Sequence, residues 1–485
     1  MQLLHVASEL HPFSKTGGLA DMVAALGKAL AHAGHEVHLV TPLYRGIRAR
    51  YPELKPANWR FDIPLGTGAV GGEFWRLKVT PRLTIWFVDQ PHFFDRAGIY
   101  NENQVDYADN AARYLFFCKA ALVLARHLPR PPQIVHVHDW PTGPLPMLLQ
   151  HARASGAWPQ PPKTVLTIHN LAYQGWFPPS QWSLTNLPDE WFHPNSAEAW
   201  GQFNFLKAGL SLADALTTVS PRYAREICTP EFGCGFEGLL LRREYELTGI
   251  LNGVDYEEWN TTANPSLKHA YDVQHFAGKA ANKRELQTEL GLPPRDDVPL
   301  FAKISRLTGQ KGSDLVLAAM EQGFAEGLDQ QFVLLGSGDF ALQNGFRELA
   351  RAHPTSVAVK VGFDATLAQR IEAAADFFLM PSRFEPCGLN QLYSLRYGTV
   401  PIVRATGGLD DSVVDVRESA ERATGIKFHE PTAAALAHAI RKAHALFREP
   451  DLLAHFRHNG MTADFSWEKQ SRDYVEFYEQ VLHGV

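Results

Sequence analysis

The sequence predicts an α/β fold built from two doubly wound, Rossmann-like domains, and three observations carry that prediction. Short apolar runs alternate with helix-patterned stretches along most of the chain, which calls for parallel strands covered by helices on both faces. At 485 residues the chain exceeds what one hydrophobic core usually supports. A polar, non-periodic stretch, WNTTANPSLKHAYDVQH (259–275), separates one helix–strand series from a fresh one. The first domain is therefore placed at 1–257, and the second begins at 258.

The opening reads as a strand–helix–strand unit. Leu3 to Ala7 is an apolar run, and Lys15-Thr16-Gly17-Gly18 is a turn. A helix follows, with Leu19, Met22, Val23, Leu26 and Leu30 on one face. Gly34 ends it, and EVHLVT (36–41) resumes a strand. Further strands are predicted at 134–138, 164–169, 215–220, 299–305, 332–336, 357–362, 376–382 and 400–405. Right-handed crossovers align the carboxyl ends of such strands along one rim, where these folds bind ligands. A ligand cleft between two such rims is the expectation.

Bulk properties exclude several classes. The formal charge of −6 argues against a nucleic-acid or anionic-membrane binder. Cys118, Cys228, Cys234 and Cys387 form neither a disulfide framework nor, with any histidine cluster, a zinc set. The first residues, MQLLHVASELHPFSKTGG, lack a basic region followed by an apolar one, and no run is long enough to span a bilayer. A soluble, cytoplasmic protein is expected.

The informative loops sit where strands end. Lys15-Thr16-Gly17-Gly18 leads into a helix N-terminus, whose free amides and positive dipole end attract an anion. A tight turn with a solvated lysine is the competing reading. Arg306 and Lys311 pair a planar guanidinium with an ammonium in one strand-end loop, a combination suited to a diphosphate. Gly336-Ser337-Gly338-Asp339-Phe340-Ala341 matches a dinucleotide glycine pattern, but no acidic ribose partner follows at the usual distance, so a nicotinamide site is not expected. In Arg383-Phe384-Glu385-Pro386-Cys387-Gly388-Leu389 a carboxylate and a glycine turn can serve sugar hydroxyls, and Thr406-Gly407-Gly408 offers another anion-binding turn. Cys387 has no histidine in its loop to activate it as a nucleophile. His138-Asp139-Trp140 and His169-Asn170 end strands in the first half. The chain holds no Asp-x-Asp triplet, the usual divalent-metal clasp of a nucleotide diphosphate. Lys15, Arg306 and Lys311 must then neutralise a leaving diphosphate themselves. These features point to an enzyme acting on a phosphate-bearing sugar nucleotide.

At this point the motifs carry a family resemblance over essentially the whole chain. SKTGGLADMVAAL (14–26), VHVHDW (135–140), TIHNLAYQG (167–175), FLKAGLSLADALTTVSPRYAREI (205–227), LNGVD (251–255), SRLTGQKG (305–312), SRFEPCGLNQLYSLRYGTVPIVRATGGL (382–409) and DFSW (464–467) resemble bacterial glycogen synthases and plant starch synthases. The resemblance implies a GT-B fold, with the second domain ending at 465 and a helix over 466–485 returning to the first domain. It implies retaining transfer of glucose from ADP-glucose to the 4-hydroxyl of an α-1,4-glucan or glycogen end, with no metal and no cofactor.

Carried over by motif, Lys15, Gly17, Gly18 and Asp21 face the donor, and Arg306 and Lys311 bind its diphosphate. Glu385, Cys387, Gly388 and Leu389 hold the glucose, with Thr406, Gly407 and Gly408 beside them. His169, Asp139 and Asn252 line the reaction centre; His169, Glu385, Arg306 and Lys311 form the catalytic set. Eight residues after Glu385, where many retaining GT-B enzymes carry a second glutamate, this chain has Tyr393, a departure the glycogen synthases share. Four of eleven tryptophans, Trp176, Trp182, Trp191 and Trp200, cluster in one stretch that reads equally as an acceptor surface or as internal aromatic packing. The rival readings are a UDP-glucose-using synthase on the same scaffold and a catalytically silent glucan-binding scaffold.

Overall fold

A computed structural model describes residues 1–484. The chain forms two compact units, one of Met1–Val219, Ala224–Gly253 and the segment from Trp467 onward, the other of Ser220–Tyr223 and Val254–Ser466. The division falls at Gly253/Val254 instead of after residue 257. The cause is local: the Val254 amide donates to the Phe465 carbonyl at 2.8 Å, and Val254 pairs in parallel with Ser466, so the first and last residues of the second unit's main segment are tied together. Ser220 joins that unit because its hydroxyl donates to the Pro386 carbonyl at 2.7 Å.

In the first unit, β1 (Gln2–Val6), β2 (Glu36–Pro42), β3 (Lys55–Leu65), β4 (Gly68–Thr80), β5 (Leu83–Asp89), β6 (Ile134–His138), β7 (Lys163–Ile168), β8 (Ala215–Thr218) and β9 (Leu247–Gly249) form one sheet. Its order is β9-β8-β7-β6-β1-β2-β5-β4-β3. Pairing is parallel from β9 to β5 and antiparallel across β5-β4-β3. Strands β1, β6 and β8 are buried on both faces, as helix-covered parallel strands must be. The helix α1 (Gly18–His32) buries Leu19, Met22, Val23, Leu26 and Leu30, the face that its sequence spacing marks. The C-terminal helix, Trp467–His483, buries Trp467, Tyr474, Phe477 and Tyr478 in this unit.

The second unit is a wholly parallel sheet of β10 (Leu300–Ile304), β11 (Gln331–Gly336), β12 (Val357–Val361), β13 (Phe377–Met380), β14 (Val400–Arg404) and β15 (Ile426–Phe428). The order β12-β11-β10-β13-β14-β15 reverses direction between β10 and β13, where Phe301 pairs with Phe377. The connections leaving β10 and β13 therefore diverge and open a crevice at the carboxyl ends of the strands. The first unit has an equivalent reversal between β1 and β6. Among the described residues no helix is long and apolar enough to cross a membrane.

Candidate active site

In the second unit the site grows from the two loops that part at the β10/β13 reversal. The loop after β10 carries Arg306 and Lys311, and the loop after β13 carries Ser382, Glu385, Cys387 and Gly388. Lys311 Nζ lies 2.6 Å from Glu385 Oε2, and the same oxygen accepts the Ser382 hydroxyl at 2.9 Å. Glu385 is buried, and these two donors satisfy that oxygen. Arg306 is exposed and, among the described residues, makes no side-chain hydrogen bond or ion pair. Beneath the loop, buried Lys303 donates from Nζ to the Lys311 carbonyl at 2.9 Å. Burial, with Lys311 adding repulsion, pushes Lys303 down to about 7, against a partial upward pull from Glu385.

The glycines of this unit serve close backbone approach. A Cβ on Gly407, which has a φ of +46°, would stand 1.9 Å from the Glu385 carbonyl oxygen, and the Gly408 amide donates to the Glu385 and Pro386 carbonyls at 3.2 and 3.1 Å. The Gly408 amide of the Thr406-Gly407-Gly408 turn is thus engaged in holding the Glu385 loop. Cys387 is buried, and its carbonyl and that of Gly388 accept from Gln391 Nε2 at 3.0 Å each. Leu389 is the residue preceding the helix Asn390–Arg396. Gly336 and Gly338 let their turn press against the backbone of Ser305 and Leu307 on either side of Arg306, which accounts for that glycine pattern without a dinucleotide. Tyr393 stacks on Trp259 with ring centroids 3.6 Å apart, so the place of a second glutamate is filled by aromatic packing.

In the first unit the corresponding loops follow β1, β6 and β7. Lys15 Nζ pairs with Asp21 across 2.8 Å, and Gly17 and Gly18 open α1 without a side-chain cap. Glu9 completes this turn: its carboxylate accepts the Thr16 hydroxyl at 2.6 Å, the Tyr100 hydroxyl at 2.7 Å and the Gly17 amide at 3.2 Å, as well as the Thr16 amide. The chain's own carboxylate thus occupies two of the amides that the sequence offers to an external anion.

Asp139 sits at φ +57°, a left-handed conformation that aspartate tolerates better than most residues. This turn delivers its Oδ1 to the His169 amide at 2.7 Å and to the Asn170 amide at 3.4 Å. Burial raises the Asp139 carboxyl to about 7 despite those two donors. His169 is half-buried and pushed down to about 3 by desolvation, so it is a neutral imidazole at physiological pH. Its Nε2 meets His138 Nδ1 at 3.1 Å. Asn252 is buried and its Oδ1 has no partner among the described residues.

Of the four tryptophans, Trp182 is buried against Phe192 and Phe203 and Trp191 packs edge-on against His151. Trp176 and Trp200 remain exposed and cluster with Phe236. Sequence reading singled out His138 but missed Glu9, Ser382, Lys303 and the buried His5 and His136. Of these only His136 left a legible trace, in the alternation of IVHVH.

Comparison with known proteins identifies the family. Residues 2–242 match the starch synthase catalytic domain, and residues 288–460 match glycosyl transferases group 1. A glycogen synthase of Anaeromyxobacter sp. is 47% identical over 483 residues, covering 99% of each chain. One of Syntrophotalea carbinolica is 42% identical over 482 residues, also covering 99% of each. The catalytic domain of starch synthase IV from Arabidopsis thaliana, solved with ADP and acarbose, superposes with a TM-score of 0.89 at 30% identity, covering 99% of both chains. Sucrose-phosphate synthase from Thermosynechococcus elongatus, at 18% identity and a TM-score of 0.61, shares the fold. The chain thus belongs to the glycogen synthase family, glycosyltransferases with the two Rossmann-like domains of the GT-B fold.

Proposed function

We propose that the protein transfers glucose from ADP-glucose to the non-reducing 4-hydroxyl of glycogen or another α-1,4-glucan, with retention and release of ADP, and without a metal or other cofactor. The observation that carries the proposal is the arrangement at the β10/β13 reversal: exposed, unpaired Arg306 in one loop with Lys311, whose ammonium is held against buried Glu385. Arg306 and Lys311 answer the diphosphate, Glu385 and the backbone of Cys387, Gly388 and Leu389 answer the glucose hydroxyls, and Thr406, Gly407 and Gly408 hold that loop in place. Lys15, Gly17, Gly18 and Asp21 serve the donor from the first unit, and His169, Asp139 and Asn252 serve the reacting carbon. ADP and acarbose on the starch synthase IV relative support both the nucleotide and the glucan parts of this reading.

The groups present favour transfer on one face of the sugar. Cys387 is buried and Glu385 is held by Lys311 and Ser382, so neither is offered as a covalent nucleophile. His169, neutral and shifted to about 3, is a weak base and acts as a hydrogen-bonding group. The acceptor's proton then passes to the departing phosphate oxygen, while the cations stabilise the growing diphosphate charge.

The test is nucleotide diphosphate release from purified protein, glycogen and either ADP-glucose or UDP-glucose, with EDTA present throughout. The expected result is undiminished turnover in EDTA and a preference for ADP-glucose of at least about tenfold in kcat/KM. Equal efficiencies would favour a donor-tolerant synthase, no release with either donor a silent scaffold, and recovery only with added manganese a metal-dependent enzyme.

A further inference from the structure

Behind His169 lie three more histidines, all fully buried: His5 on β1, and His136 and His138 on β6. Register explains the cluster. His5 and His136 are cross-strand partners, and His136 and His138 share a face by strand alternation. His138 Nδ1 lies 3.1 Å from His169 Nε2, and His138 Nε2 lies 3.3 Å from His5 Nδ1. His5 Nε2, at the inner end, is buried with no partner among the described residues.

We propose that His5 and His138 are positioning residues that fix the tautomer of His169: His5 Nδ1–H donates to His138 Nε2, and His138 Nδ1–H donates to His169 Nε2, which leaves the His169 proton on Nδ1 as a donor for substrate.

The direction follows from the inner end. A neutral imidazole has one N–H and one lone pair, so three rings joined by two hydrogen bonds can run only two ways. Run inward, the chain ends in an N–H on His5 Nε2 with nothing to accept it, and orphaned buried N–H groups are the rarest kind. Run outward, it ends there in a bare lone pair, and the surplus proton sits on His169, the one half-exposed ring. Desolvation keeps all the rings neutral, lowering His5 to about 3 and His138 well below its ordinary value.

A metal is the other use for such a cluster, because His5, His136 and His138 offer ligand atoms within 4.8 Å of one another. The donor set argues against it. His136 already meets the Tyr478 hydroxyl through Nδ1 at 2.7 Å and the Thr167 hydroxyl through Nε2 at 2.5 Å. A divalent ion would have to break one of these bonds, and among the described residues no carboxylate makes a hydrogen bond or ion pair with any of the three rings to offset its buried charge.

The kinetic consequence rests on the proposed place of His169 at the reaction centre; the tautomer itself does not. The full chain, labelled with ¹⁵N-histidine, is examined by long-range ¹H–¹⁵N correlation near neutral pH, with ring signals assigned through single histidine substitutions. Nδ1–H is expected on His5, His138 and His169, the reverse of the tautomer that dominates for free histidine in water. An Nε2–H on any of the three, or a stoichiometric metal in the purified protein, overturns the proposal. His138→Leu, which removes the donor, is expected to lower kcat by about tenfold with donor KM little changed, and His138→Asn, whose amide can stand where Nδ1 stood, to recover most of that loss. Equal losses in the two variants would mean that His138 only fills space. If His169→Ala turns over normally, the assignment of His169 to the reaction fails, and the spectrum still decides the hydrogen-bond chain.

Discussion

The Glu9 carboxylate is built into the turn that starts α1, accepting the Thr16 hydroxyl at 2.6 Å. It also holds the amides of Thr16 and Gly17 and the hydroxyl of Tyr100, all from a buried position. Removing it strands several donors at once. Glu9→Ala is therefore expected to cost about 1–3 kcal/mol in urea unfolding and to raise donor KM, since Lys15, proposed to serve the donor, rides on the same turn. Glu9→Gln, which keeps one accepting oxygen, should fall between. Parent-like stability and KM in Glu9→Ala would show that the turn holds itself.

Arg306 and Lys311 should separate in stability while agreeing in kinetics. Each alanine substitution is expected to lower kcat/KM by about two orders of magnitude, because each removes a cation that the proposed mechanism sets against growing diphosphate charge. Arg306 is exposed and among the described residues makes no side-chain hydrogen bond or ion pair, so Arg306→Ala should unfold like the parent. Lys311→Ala leaves buried Glu385 with only the Ser382 hydroxyl and should lose roughly 1–3 kcal/mol. Normal turnover in either variant would return that residue to the solvated surface.

Lys303 supplies a pH signature. Its ordinary value of 10.5 falls to about 7 in the folded protein, so between those limits the unfolded chain binds more protons. Stability then rises with pH across that interval; the penalty for burying the ammonium is complete below about 7 and absent above the ordinary lysine range. Lys303→Met should erase this slope, gaining more over the parent at about pH 6 than at about pH 10. Parallel stability curves for the two proteins would mean that Lys303 keeps its ordinary proton affinity.

Most parallel strands were legible because burial on both faces writes a continuous apolar run, as in IVHVH and FVLLG. The hairpin β3–β4 was not. Strands such as KPANWRFDIPL lie at the sheet edge, with most of their side chains at least partly exposed, so no apolar run marks them. Arg306, Lys311 and Glu385 could be singled out because charge at a strand end is conspicuous in sequence. Their contacts could not, since the 2.6 Å pairing of Lys311 with Glu385 depends on a strand order that brings the first and fourth strands of a sheet together. Glu9 and Ser382 were missed for the same reason: what matters in each is a neighbour supplied by folding.

Apart from the segment from Trp467 onward, which carries the helix Trp467–His483, every residue of the first unit precedes Val254. On the ribosome the amino-terminal sheet therefore waits for its final cover while the whole second unit is made, an interval on the order of ten seconds or more at ~5–20 residues per second. Throughout it, His136 lacks the Tyr478 hydroxyl that meets its Nδ1 in the finished protein. The second unit's main segment, contiguous and tied end to end by Val254 and Phe465, faces no such delay, so the domain translated first is the last to be completed.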